Sequence, residues 1–450
     1  MALRTLLICL ALSIALTIAK TSVRASNDAE STPFLYTVAK TYEPLAWLRG
    51  GERFPSGATV FLSEAKGKHP LISNFAASAD ASVSFDGKRV LLAGKKNSGD
   101  HWQIWEIALA RAEIRAVTPP DQECIRPFYL PEERLVYAHR VDGRFTIEAA
   151  DLVSGKPLRL TYGPANFLPS DVLRDGRILF EAGYPLGSEA KQEIYTVYSD
   201  GSGVESYRCD HGGAHHHGKQ VSSGDIVFAS RTGLSRFTSP RAEEIRIAAP
   251  AGEYAGDIAE LPSGDWVVPW RPDASVPFRL ERWSPAASNL QEVLTEENTN
   301  VIQPVLLVER VVPNRHPSGL HDWPNANLLC LNAYTSKYSF APGSIHAVRL
   351  YTREADGSAK LLGSAPVEGD GSFFVQVPTE RALQIELLDS AGKPLKREAG
   401  YFWMRRGEQR VCVGCHAGPE TAPENAVPQI LLKSTTPTDL TSIQNASGGH

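Results

Sequence analysis

From residue 34 to about 310 the chain repeats a loose unit: a turn, a short β-rich run, a polar gap and a second β-rich run. The clearest copy is Phe85-Asp86-Gly87-Lys88, then Arg89 to Ala93, then Trp102 to Ile107. Others start at Pro131-Glu132-Glu133-Arg134, Arg174-Asp175-Gly176-Arg177, Ser223-Gly224-Asp225 and Ser263-Gly264-Asp265. A recurrence of roughly 40–50 residues with short strands suits a propeller blade of four strands, which hides its apolar faces only by stacking on its neighbours. An irregular stack of β-hairpins is the alternative, since Asp-Gly turns are common in hairpins of every kind.

After residue 340 the pattern changes to alternating strands: Ser344 to Tyr351, Lys360 to Gly363, Ser372 to Val377, Leu383 to Leu388 and Tyr401 to Met404. Gly369-Asp370-Gly371 and Ser390-Ala391-Gly392 supply tight turns between them. The expected fold is all-β: an N-terminal β-propeller of about six blades over residues 34–310, then a small antiparallel β-sandwich within 311–416. Residues 417–450, rich in Pro, Thr, Ser and Asn, read as an extended tail.

Composition agrees with many turns, with 36 Gly and 31 Pro in 450 residues. The first 25 residues have a charged start at Arg4, an apolar run from Leu6 to Ile18 and small residues up to Ala25, the three parts of a secretory signal. The run falls short of the roughly 20 residues a membrane anchor requires, so no membrane span is expected once the signal is removed. Removal takes away Arg4, Lys20 and Arg24 and moves the net charge from -5 to -8. Such a chain lacks the basic field that nucleic acid demands. Five cysteines would remain, Cys124, Cys209, Cys330, Cys412 and Cys415, an odd number that argues against a disulfide framework.

Cys412-Val413-Gly414-Cys415-His416 has the spacing by which two thiols attach to the vinyl groups of a c-type haem while the next imidazole reaches the iron. A zinc site would bring a second Cys-x-x-Cys or His pair, and a redox dithiol would sit in an α/β unit. One covalent haem c is therefore expected, with His416 on the metal. Met404, the only methionine left after signal removal, is the one His/Met partner available; packing beside Trp403 is its other reading. Arg405, Arg406 and Arg410 lie close enough in sequence to pair with haem propionates, or are ordinary solvated arginines.

Two loops concentrate further donors. Cys209-Asp210-His211-Gly212-Gly213-Ala214-His215-His216-His217 holds four of the twelve histidines, and imidazole, thiolate and carboxylate are usual zinc or iron ligands. Arg315-His316-Pro317 to His321 is the second. His211, His215 and His316 are the candidate proton donors over a haem; Cys330, between leucines, reads as a buried strand thiol or as a third thiol near the haem.

The Asp-Gly-Lys turns resemble those of TolB-type propellers. Asn327 to Tyr334, Gly363 to Ser372 and Arg406-Gly407-Glu408-Gln409-Arg410 leading into the haem motif resemble the middle domain of hydrazine synthase alpha-subunit-like proteins. That resemblance implies propeller loops covering one face of a haem domain. In the hydrazine-forming relatives a tyrosine four residues after the motif His ligates iron, with zinc nearby. Here that position is Glu420, so tyrosine ligation by that route is excluded and zinc on His416 loses its support. Hydrazine synthesis is not carried over. The expected protein is a periplasmic monohaem redox protein acting on a small molecule; the alternatives are an electron-transfer or docking subunit with a six-coordinate haem and a redox partner protein, or a propeller binding module in which haem serves stability.

Overall fold

A computed structural model describes residues 32–184, 191–208, 215–230, 233–285, 289–354, 356–414 and 425–442. The signal segment, Cys209, His211, Cys415, His416 and Glu420 lie outside the described residues. Six small antiparallel sheets follow one another from Phe34 to Leu306 as six propeller blades. The ring closes on itself: Asn300–Leu306, the last propeller strand, becomes the innermost strand of blade 1 by pairing with Phe34–Ala39.

The repeated turns form for a local reason. Asp86 Oδ1 accepts from the Ser84 hydroxyl at 2.6 Å and from the Lys88 N–H at 3.1 Å, while Gly87 takes φ +70°. Asp175 does the same for the Arg177 N–H at 3.0 Å. Strands within blades are buried on both faces by neighbouring blades, as in Arg89–Lys95 and Gln103–Ala108, and so read as nearly continuous apolar runs.

Blade irregularities build a polar axis. Asp80, Arg126, His217, Asp257 and Gln303, one from each of five blades, take positive φ between 51° and 58° at breaks in the inner strands. Their side chains join one buried network. Gln303 donates to Asp80 at 2.7 Å and Arg53 to Asp80 at 3.0 Å, and Arg126 binds both oxygens of Asp257 at 2.9 and 3.0 Å. His217 Nδ1 lies 3.2 Å from Asp257. Burial opposes ionisation of Asp257, but Arg126 and His217 outweigh it and hold the carboxyl well below its usual range.

Beyond the ring two four-stranded sheets form the sandwich. One, antiparallel, has Ala347–Arg353 and Ala382–Leu388 at its centre. The other is mixed: Ala326–Cys330 pairs antiparallel with Phe373–Val377 but parallel with Gln409–Cys412. Burial alternates along Ala326–Cys330, Ala347–Arg353 and Phe373–Val377, the period of sheets packed on one face. Part of the expected tail is folded: Gln429–Lys433 is a helical turn, Thr438–Asp439 adds to the mixed sheet in parallel, and Leu440 is buried in the sandwich core. Among the described residues no helix is long and apolar enough to cross a membrane.

Trp403 joins the two units. It is fully buried against Phe167, Phe180 and Tyr162, and its indole N–H donates to the Leu160 carbonyl at 2.9 Å. The linker crosses the blade turns, with the Arg310 N–H on the Phe85 carbonyl at 2.7 Å and the Asn314 N–H on the Arg174 carbonyl at 2.9 Å.

Candidate functional site

The parallel strands Ala326–Cys330 and Gln409–Cys412 run in register, so that Leu328 faces Arg410 and Cys330 faces Cys412. Side chains two apart share a face of a strand, and these four all line one cavity of about 430 Å³. Phe373, Ile385 and Leu387 extend its apolar floor; Tyr195, Tyr198 and Val204 of blade 4 form the opposite wall. Its volume is within the range of small-molecule and cofactor sites, which favour such domain boundaries.

Cys412 is partly exposed on this wall, whereas Cys330 is 1% exposed. Chain direction then carries Gly414 past Thr335 so closely that an added Cβ would stand 2.1 Å from the Thr335 carbonyl oxygen. Cys415 and His416 follow outside the described residues.

Charge collects at the rim. Arg177, Arg241, Lys396 and Arg410 line the cavity together with Glu205 and Glu398. Arg410 is committed: it donates to Glu408 at 2.6 and 2.9 Å, to the Val204 carbonyl at 3.2 Å and to the Trp403 carbonyl at 3.1 Å. It ties sandwich to propeller. Arg405 is likewise held by Glu380 at 2.8 Å, and Arg406 lies 57% exposed, 4.0 Å from Asp322. Burial of Arg177 works against its charge, but Asp175 and Glu205 beside it prevail and raise its pKa.

The other sequence candidates fall elsewhere. Met404 is fully buried in the sandwich core and is not on the cavity wall, the packing position that its sequence neighbours also allowed. His215 Nε2 meets Glu244 at 3.0 Å in a nest of Phe228 and Phe237, away from the cavity. His316 is exposed and stacks on the wall residue Tyr198, with ring centroids 3.7 Å apart, without lining the cavity itself. Among the described residues of the wall there is neither His nor Met, and no group of three His, Cys, Asp or Glu side chains could hold a metal. Sequence reasoning missed Arg177, Arg241 and Glu205; only the turn Asp175-Gly176-Arg177 hinted at any of them.

A thiol at the wall, an apolar floor, aromatic sides and a cationic rim could hold a covalently attached porphyrin. Residues 343–417, which supply much of that floor and the start of the motif, match the family model of the hydrazine synthase alpha subunit middle domain. That stretch of the chain is similar to this domain. Over a longer span it is similar to the hydrazine synthase of Kuenenia stuttgartiensis, at 16% identity and a TM-score of 0.74, covering 90% of this chain and 72% of that one. At that identity the likeness speaks for the fold. TolB from Acinetobacter baumannii (14% identity, TM-score 0.46, 63% of this chain and 67% of that one) is also similar. A putative TolB from Agrobacterium tumefaciens follows (15%, 0.43, 58% and 88%). None of the curated proteins compared matches. Within the matched region, the strand ending at Cys412 is the element that brings Cys412 to the cavity.

Proposed function

We propose that this chain is an exported monohaem redox protein in which a haem c, attached through Cys412 and Cys415, lies in the cavity between blade 4 and the middle domain. The observation that carries the reading is the position of Cys412 on the wall of a 430 Å³ cavity with an apolar floor and a cationic rim. His416 is the proximal ligand in this reading. The haem, when bound, supplies a one-electron iron couple. The chain's own residues do the rest. Leu328, Phe373 and Leu387 exclude water from the porphyrin face, Tyr195 and Tyr198 cap it from the propeller, and Arg410 fixes the spacing of the two walls.

With haem bound, the described wall would offer neither His nor Met to the iron and Met404 would remain in the core, which supports a site that a small molecule could reach. An electron carrier with His/Met coordination from this chain requires Met404 to leave that core. The secretory pattern of residues 1–25 supports a periplasmic location, where c-type haem is attached. Hydrazine formation is not part of the proposal. Spectra of the purified full chain, oxidised and reduced, with and without carbon monoxide, test it. Carbon monoxide is expected to change the reduced spectrum, and a reduced haem indifferent to it would overturn the open-site reading.

A further inference from the structure

The propeller side of the cavity rim holds a carboxylate between two guanidinium groups. Glu205 accepts from Arg177 Nη1 at 3.0 Å through one oxygen and from Arg241 Nη2 at 3.4 Å through the other. The three residues come from different places in the ring: Arg177 from the turn before the second strand of blade 4, Glu205 from its outer edge, and Arg241 from the turn before the outer strand of blade 5. All three line the cavity.

The two arginines are fixed from behind. Asp175 takes Arg177 Nε at 2.9 Å, leaving Nη1 directed at Glu205. Arg241 stands at φ +66°, where a residue with a side chain is strained, and its N–H is pinned to the Tyr207 carbonyl at 2.6 Å. Strain of this kind persists only where surrounding structure enforces it. Meanwhile the other rim cations are engaged elsewhere, Arg410 with Glu408 and two carbonyls, Lys396 over the Tyr338 ring at 4.0 Å. Glu205, with a side chain 39% exposed and no other hydrogen bond among the described contacts, is the movable member.

We propose that Arg177, Arg241 and Glu205 form a carboxylate-exchange site, in which a propionate of the cavity's haem displaces Glu205 from between the two arginines. The inference rests on the haem reading above. Exchange of one carboxylate for another conserves charge at the guanidinium pair, while Glu205 turns to solvent, where its own charge is hydrated. The ring is thereby part of the haem site and not only a cover: it supplies the pair that neutralises one propionate.

Two positive groups beside a propionate favour the reduced iron. The test is the midpoint potential of the full, haem-loaded chain, with covalent haem per chain measured alongside. Arg241→Gln is expected to move the oxidised-to-reduced equilibrium about tenfold toward the oxidised form, about 59 mV for one electron. Arg241→Lys, which keeps the charge without the fork, is expected to shift it less. Glu205→Gln is expected to leave the potential unchanged or raise it. An unshifted potential in both Arg241 variants overturns the proposal. So does a Glu205→Gln shift as large and in the same direction as Arg241→Gln, because Glu205 would then be a support for the arginine and not its exchangeable occupant. Wild-type protein without covalent haem would sink the haem reading itself, an outcome distinct from a loaded haem of unshifted potential.

Discussion

Cys330 and Cys412 are register partners across two parallel strands, and both line the same cavity. A second thiol therefore stands next to the thiol proposed for attachment, although some eighty residues of chain separate them. The two differ in access, one sealed in the sandwich and the other partly open. In haem-loaded protein iodoacetamide is expected to modify neither under native conditions and Cys330 alone after unfolding, since a thioether at Cys412 has no thiol left. Peptide mass spectrometry checks this; alkylation of Cys412 would contradict haem attachment there.

Gly414→Ala pushes a methyl group into the Thr335 carbonyl. Overpacking of this kind costs about 1–3 kcal/mol. Because the strain falls between the two motif cysteines, covalent haem per chain is expected to drop more than the thermal midpoint of the propeller. Pyridine haemochrome absorbance against protein concentration reads the difference.

Trp403→Ala removes the indole that blades 3 and 4 share with the sandwich. A loss of about 3–5 kcal/mol is expected. The denaturant transition should also split in two, as propeller and sandwich lose their common core; a single transition of unchanged slope would mean the two units are held together by other contacts.

The axis network predicts asymmetry between deleting one partner and replacing a pair. Asp80→Asn leaves Arg53 and Arg126 facing a neutral group inside the ring, and breaking a buried pair costs about 3–5 kcal/mol. Its unfolding midpoint in urea is expected to fall well below that of Asp100→Asn, an exposed loop substitution.

Acid sensitivity should have an identifiable source. Burial and the neighbouring His217 push His216 down to about 3. Between its unfolded value near 6.5 and that folded value the unfolded chain binds the extra proton, so stability falls as pH falls, by at most about 1.4 kcal/mol per pH unit. His216→Gln is expected to flatten the dependence over this window. Glu181 works in the opposite sense, since burial raises its pKa and its contribution is lost as pH rises through that value. Urea midpoints from pH 4 to 7 separate the two.

The ring was legible in the sequence because its turns are local chemistry: Asp86 and Asp175 make their hydrogen bonds within two residues, and such signals survive without tertiary context. Sandwich strands were legible for the same reason, from the alternation in Ala347–Arg353 and Phe373–Val377. Parallel pairing of Cys330 with Cys412 was not, since its partners are remote and nothing in either strand encodes the other. Arg410 was found by its closeness to the motif, yet its guanidinium is spent on Glu408 and two carbonyls. Arg241, far away in sequence, reaches the cavity because a left-handed residue turns it there. Proximity along the chain selected Met404 as well, but its side chain is packed in the sandwich core instead.

Closure of the ring by Asn300–Leu306 gives the chain a calendar. Blade 1 waits, lacking its inner strand, until nearly all of the propeller has been synthesised. The segment bearing Cys412 is made later still, and the surface that Trp403 docks against exists only after blades 3 and 4 have stacked. Domains made first generally fold first. The strand that carries Cys412 thus reaches a wall already standing, and the two halves of the molecule meet only after the ring has closed.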